Sequence, residues 1–265
     1  MRDMMPLWPM LVALLCATPS QAEVRTAVIE YRQGDTVLEG YLAHDGVVKG
    51  QRPGVLVVHE WSGINPYVKE RAEQLAKLGY VALAADIYGK GVRPRAPDEA
   101  AKVAAVYRND RALMRARAQA ALEVLRHHEG VDSKRIAAIG YCFGGTTVLE
   151  LARNGADIAG VVSFHGGLDT PNPEDARNIK CKVLVLHGGD DPFVPAVQVA
   201  GFWQEMRKAG VDWQMIVYGG AVHSFTNPES GSDPSRGAAY SERADRRSWQ
   251  AMRLFCGDIF TAPGR

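Results

Sequence analysis

A cysteine lies between glycines in the segment IAAIGYCFGGTTVLELA, where an apolar run ends at Gly140 and a helix-like segment begins after Cys142. A Gly-x-nucleophile-x-Gly turn between a strand and a helix lifts the nucleophile above the edge of a sheet. The N–H groups at the start of the helix then favour a thiolate at Cys142. The N–H of Phe143 is directed to where an oxyanion would form. Cysteine is also often buried as a small apolar residue, so the motif alone leaves an inert thiol as an alternative.

An acid and a histidine follow the cysteine in the order that such turns require. Asp190 and Asp191 come after the apolar run VLVLHGG, and His223 comes after MIVYGG. His223 would take the thiol proton and later activate water, while an aspartate would orient its imidazole. The simpler interpretations are an aspartate that caps a turn and a histidine on the surface. Either Asp190 or Asp191 could take the orienting role.

A further group of polar residues follows the earlier apolar run VLVVHE. The backbone N–H of Trp61 is a candidate for the second donor to an oxyanion. Glu60 would project into the same cleft, where a carboxylate is costly unless it is paired or hydrogen-bonded. His165 and His187 also follow apolar runs, and we expect them to hydrogen-bond the backbone.

Short β-rich runs alternate with longer helix-like segments along the chain, which indicates a mostly parallel sheet with helices on both faces. EVRTAVIEY and TVLEGYLAH predict an antiparallel hairpin at the start. The later strands are predicted in PGVLVVHE, YVALAADIY, RIAAIGYC, IAGVVSFHG, CKVLVLHGG and WQMIVYGG. Helices are predicted in VKERAEQLAKLG, after Cys142, and over 97–128 (one long helix or a pair), 195–210 and 238–256. Sites in such sheets lie at the carboxyl ends of the strands, where the residues above are found.

The first 22 residues predict a signal peptide. Arg2 precedes an apolar stretch, Leu7 to Ala17, that is too short to span a bilayer, and Ser20 and Ala22 fit a cleavage site. We expect residues 23–265 to form one domain that is exported, to a periplasm or the exterior, without a membrane anchor. The alternative is an ordinary buried helix at the N-terminus.

Composition excludes several classes of protein. The 265 residues include 31 basic and 30 acidic side chains, so no charge excess indicates a nucleic-acid partner. Cleavage would leave three cysteines, an odd number that is not a disulfide framework. Cys181 and Cys256 are expected to be inert, with a disulfide between them as the alternative. No cysteine or histidine spacing predicts a metal site, and no cofactor is expected.

Together, the motifs HEWSGIN, DIYGKG, GYCFGG, GGDDPFVP and GAVHSF resemble those of the dienelactone hydrolases, thiol members of the α/β-hydrolase fold. The resemblance covers nearly all of the chain after residue 22. It implies Cys142 as nucleophile, His223 as base and Asp191 as orienting acid. It also implies that Glu60 contacts the thiol and that lactones are cleaved through a cysteinyl acyl-enzyme.

The chain departs from this family where the substrate carboxylate is held. Well-known members use two arginines, and the matching residues here are Lys90 and Asn227. Lysine binds a carboxylate without the bidentate fork of arginine, and asparagine carries no charge. The two residues are therefore expected to bind the substrate, with less dependence on its charge.

These observations predict an exported cysteine-dependent hydrolase of small lactones or esters, as a monomer or small homo-oligomer. Two alternatives stay open: a broad-specificity carboxylesterase or thioesterase, and a non-catalytic binding protein on the same scaffold.

Overall fold

The computed structural model describes residues 22–261, in which one sheet is covered by helices on both faces. The predicted signal peptide lies outside the described residues except for Ala22. The strands are β1 (Val24–Gln33), β2 (Thr36–Asp45), β3 (Arg52–Val58), β4 (Val81–Ala85), β5 (Val131–Tyr141), β6 (Gly160–Phe164), β7 (Lys182–Gly188) and β8 (Trp213–Tyr218). The helices are α1 (Pro66–Lys77), α2 (Pro97–Asn109), α3 (Arg111–Arg126), α4 (Phe143–Arg153), α5 (Ala196–Ala209) and α6 (Glu242–Thr261).

The strand order is β1-β2-β4-β3-β5-β6-β7-β8 across the described sheet. The predicted hairpin β1–β2 is antiparallel and joins β4 in antiparallel fashion. The strands from β4 to β8 pair in parallel. The carboxyl ends of β3, β5, β6, β7 and β8 therefore lie side by side, and the residues that follow them meet at one edge.

Alternate residues of the central strands enter two separate cores. In β3, Leu56 and Val58 pack on the face covered by α3, α4 and α5, whereas Val55 and Val57 pack on the face covered by α1 and α6. All four side chains are fully buried. Strands buried on both faces are continuous apolar runs, which is why the sequence alone located them.

Helix α4, which begins beside Cys142, is anchored at its far end by buried ions. Arg153 is fully buried and pairs with Glu150 on the same helix and with Glu205 on α5, at 3.0 Å and 2.7 Å. Removal of one partner of such a group leaves an uncompensated buried charge, at a cost of about 3–5 kcal/mol. The ion pairs therefore fix α4 against α5.

The structure resolves the segment 97–128 into two helices. Asp110 separates them and caps α3, since its Oδ1 accepts the N–H of Leu113 at 2.9 Å. The predicted helix over 238–256 begins later, at Glu242. The cause is backbone pairing: the N–H of Ala239 donates to the carbonyl of His223, and the N–H of His223 donates to that of Gly237. The segment before α6 thus supports the histidine loop.

Within residues 22–261, none of the helices combines the length and apolar character needed to cross a bilayer.

Candidate active site

Cys142 occupies a sharp turn between β5 and α4, with φ 53° and ψ −113°. A positive φ is costly for a residue with a Cβ, and the turn leaves no room beside it. A Cβ on Gly140 would lie 2.0 Å from the carbonyl oxygen of Gly144, and one on Gly144 would lie 2.2 Å from that of Val58. Both glycines are therefore required for the helix to start directly against the sheet.

Cys142, His223 and Asp191 form a continuous chain of contacts. The Sγ of Cys142 lies 3.0 Å from Nε2 of His223, and Nδ1 of His223 lies 2.7 Å from Oδ2 of Asp191. The other carboxylate oxygen of Asp191 accepts the N–H of Phe193 at 2.9 Å. The aspartate is thus held from both sides and faces the histidine from the neighbouring loop. The sequence order left the choice between Asp190 and Asp191 open, and the family resemblance implied Asp191.

The charges of this chain favour a protonated imidazole. Burial by itself lowers the pKa of His223, but an ionised Cys142 and the carboxylate of Asp191, through charge and hydrogen bonds, outweigh burial and raise that pKa to about 10. The raised pKa keeps His223 protonated at neutral pH, and the nucleophilic form of a cysteine is its thiolate.

The backbone N–H groups of Trp61 and Phe143, which are the predicted oxyanion donors, donate no hydrogen bond to other described residues. The hydroxyl of Tyr88 donates to the carbonyl of Trp61 at 2.9 Å, and its ring packs against that of Phe143 at 5.3 Å. Tyr88 thereby links the two loops that carry the predicted oxyanion donors.

Buried His59 supports the same loop from below. Ile87 N–H donates to its Nε2 at 3.3 Å, so Nδ1 carries the proton and donates to the carbonyl of Glu60 at 2.6 Å. Burial lowers the pKa of His59 to about 4, and the ring is neutral. No sequence pattern distinguishes His59 from the other histidines that follow strands.

Glu60 is buried and accepts two hydrogen bonds, from Nδ2 of Asn227 at 2.6 Å and from the hydroxyl of Ser224 at 3.3 Å. Burial raises the pKa of Glu60, and the Asn227 hydrogen bond partly opposes it. Among the described residues no hydrogen bond joins Glu60 to Cys142, so the expected contact with the thiol is not a hydrogen bond. Glu60 instead accepts the hydrogen bond of Ser224, the residue directly after His223. Ser224 has a positive φ of 54°.

The expectation that Asn227 binds the substrate is not supported by its contacts. Its Oδ1 accepts the N–H of Glu229 at 3.0 Å, which fixes the amide with Nδ2 toward Glu60. The side chain is buried and both of its polar atoms are occupied. Asn227 is a neutral partner for a buried carboxylate, in a place where the family pattern has a cation.

The structure also places Lys90 away from the sulfur. Its ammonium group pairs with Glu30 on β1, and this pairing raises the pKa of Lys90. β1 is four strands from β5, about 19 Å at the usual strand spacing. The contacts of Lys90 therefore do not support its predicted substrate-binding role, because the lysine extends toward β1 at one edge of the sheet.

Cys256 is a free thiol whose sulfur contacts that of Met252, so the alternative of a disulfide with Cys181 is excluded. Burial raises the pKa of Cys256 to about 12, which keeps it a neutral thiol. Because Cys256 is a buried neutral thiol on α6, it is a suitable control for substitutions of Cys142.

Comparisons with known proteins agree with this geometry. The family model described as "Dienelactone hydrolase family" matches residues 38–260. The crystal structure of the dienelactone hydrolase-like promiscuous phosphotriesterase P91, from metagenomic libraries, is 43% identical with a TM-score of 0.86, over 89% of this chain and 99% of that one. The structure named m3DLH is also 43% identical, with a TM-score of 0.87, over 90% and 99% of the two chains.

A curated protein of Bradyrhizobium sp., named "Probable 2-oxo-3-(5-oxofuran-2-ylidene)propanoate lactonase", is 32% identical over 70% of this chain and 77% of its own length. Fold, site order and sequence agree. The chain belongs to the dienelactone hydrolase family, hydrolases of the α/β-hydrolase fold that act on ester bonds.

Proposed function

We propose that the protein hydrolyses lactones or esters through a cysteinyl acyl-enzyme on Cys142. The observation that carries this proposal is the chain from Sγ through the imidazole of His223 to Asp191, with contacts of 3.0 Å and 2.7 Å. A thiolate beside an imidazolium is an activated nucleophile with its acid catalyst in place.

The reaction would proceed in two stages. The thiolate of Cys142 attacks the carbonyl carbon, and the N–H groups of Trp61 and Phe143 stabilise the oxyanion. The tetrahedral intermediate collapses as the C–O bond breaks, and the proton of His223 goes to the leaving alkoxide or enolate. Neutral His223 then takes a proton from water, the hydroxide attacks the thioester, and the acid product leaves as the imidazolium–thiolate pair is restored.

The surroundings of the site favour neutral substrates. Neither Lys90 nor Asn227 supplies a cation to the thiol, as described above. Trp61 and Phe193 are 36% and 58% exposed, and the ring of Phe193 meets that of His223 edge-on at 5.3 Å. An exposed aromatic residue next to the catalytic histidine suits an apolar group of a substrate. This observation favours the second candidate, a broad-specificity carboxylesterase, over an enzyme that depends on a substrate carboxylate.

Incubation with p-nitrophenyl acetate should trap the intermediate. We expect release of p-nitrophenol, and in acid-quenched protein a mass increase of one acetyl group, located on the peptide that contains Cys142. Prior alkylation with iodoacetamide should remove both signals. Undiminished turnover after complete alkylation of Cys142 would exclude the cysteinyl mechanism. If the protein is not acetylated and hydrolyses none of a panel of esters, the non-catalytic alternative is favoured instead.

We also propose that the chain is exported and that its mature form begins at Glu23. Support comes from the sequence of the first 22 residues and from the position of β1, which starts at Val24, so that cleavage leaves every strand intact. Mass spectrometry of the protein from its native host should find Glu23 as the first residue. A soluble cytosolic species that retains residues 1–22 would contradict export.

A further inference from the structure

One fully buried histidine at the site is not used in the steps above. His165 directly follows β6 and is completely shielded from solvent. Its φ is 39°, a conformation that costs energy for a residue with a side chain. Its ring meets that of His223 edge-on at 5.3 Å. A strained and buried polar residue beside the reacting groups requires an explanation.

The hydrogen bonds of His165 fix its tautomer. The backbone N–H of Cys142 is shared between the carbonyl of Phe164 at 3.0 Å and Nδ1 of His165 at 3.1 Å, and a backbone N–H can only donate. Burial, together with the charge of His223, lowers the pKa of His165 well below its ordinary value, so the ring carries one proton. That proton is therefore on Nε2, which donates to Oγ1 of Thr226 at 2.7 Å.

The two hydrogen bonds of His165 form a bridge between the nucleophile Cys142 and the loop that carries His223. One end is the backbone of Cys142, and the other is Thr226, three residues after His223. Thr226 is itself held firmly, because its hydroxyl lies 2.6 Å from that of Tyr67 and its carbonyl accepts a hydrogen bond from Arg71 at 2.8 Å. Any displacement of the histidine loop from the nucleophile must break this bridge.

We propose that His165 is a positioning residue for the hydrolysis: its neutral imidazole joins the backbone of the nucleophile to the loop of His223 and so holds Sγ and Nε2 at the distance of proton transfer. This inference rests on the proposed function, since it names what maintains the geometry of that reaction. His165 contacts no reacting atom in this scheme.

Thr226→Val tests the bridge without changing the backbone of either catalytic loop, because valine has the shape of threonine but no acceptor. We expect kcat for p-nitrophenyl acetate to fall about 10- to 100-fold, with KM changed less than about threefold, as for a small misplacement of reacting groups. The rate of Cys142 alkylation at neutral pH should fall by a similar factor, and the pH dependence of that rate should change.

His165→Asn breaks the same hydrogen bond from its other end. Asparagine tolerates a positive φ and keeps an oxygen near the position of Nδ1, but it is too short to reach Thr226. Its loss of kcat should match that of Thr226→Val, and the double variant should lose little more. Thr226→Ser restores the hydroxyl and should recover both turnover and alkylation.

Ser248→Ala serves as the matched control. It also removes a buried hydroxyl, one that bonds only the carbonyl of Asp245 on α6, and should leave both rates unchanged. If folded Thr226→Val keeps the alkylation rate, its pH dependence and kcat of the wild type, even with a lower Tm, His165 is a structural residue only and the proposal is overturned. Because alkylation is measured without a substrate, it reports on the bridge even if hydrolysis itself is not found.

Discussion

Replacement of Cys142 by alanine should lower kcat for an ester by about 10⁴-fold or more, while the protein remains folded. The attacking atom is removed, and the imidazole of His223 is left with no nucleophile to activate at 3.0 Å. The substitution deletes one sulfur at a turn whose backbone is fixed by Gly140 and Gly144, so the far-ultraviolet circular dichroism and Tm should stay close to those of the wild type. His223→Ala should cost a similar factor, because the two residues act as a unit.

Cys256→Ala is the control for this experiment. It removes a thiol of similar burial from α6 and should leave turnover and acyl-enzyme formation unchanged. Wild-type turnover in Cys142→Ala would show that the cysteine is not the nucleophile. Loss of turnover in the Cys256→Ala variant as well would indicate that removal of a buried thiol impairs folding in general.

Replacement of Asp191 by asparagine should lower kcat by about 10³-fold through a change of tautomer. The N–H of Phe193 donates to Oδ1 of Asp191, so the amide oxygen of asparagine would take that position and its NH2 group would face Nδ1 of His223. Nδ1 must then accept a hydrogen bond from this NH2 group, so the ring proton lies on Nε2, which faces the sulfur. An imidazole in this form cannot take the proton of Cys142.

The carboxylate also contributes charge, so its removal should lower the pKa of His223 from about 10. Stopped-flow kinetics and a proton magnetic resonance titration of His223 measure the two effects separately. Asp190→Asn, a change at the exposed neighbour, is the control and should behave as the wild type. Equal losses in both variants, or none in Asp191→Asn, would contradict the assignment of Asp191 as the orienting acid.

The parts of the fold that the sequence predicted are those set by burial and backbone geometry. Continuous apolar runs mark strands that are buried on both faces, and the residues directly after them have to meet at one edge when the strands are parallel. That argument placed Cys142, His223 and one of Asp190 and Asp191 at the same edge, and the family resemblance then implied Asp191. The glycines beside Cys142 were equally informative, because no residue with a Cβ fits at either position.

The substrate-binding roles predicted for Lys90 and Asn227 find no support in their contacts, because the direction of a loop side chain depends on partners distant in the sequence. Lys90 extends toward Glu30, 60 residues earlier, and Asn227 toward Glu60, 167 residues earlier. A family pattern gives the position of such residues but not their contacts. His165 was expected to hydrogen-bond the backbone, and it does so, but which backbone group it meets was not readable from a strand-end histidine.

Three non-glycine residues in the described chain have a positive φ, and all three belong to the site: Cys142, His165 and Ser224. Each costs about 1–3 kcal/mol, a large share of the net stability of an ordinary domain. The strain sets a limit on how far this active site can diverge in evolution. A substitution that adapts the cleft to a new ester draws on a stability margin that the site has already reduced, so new specificities should emerge more readily from a background first stabilised elsewhere in the fold.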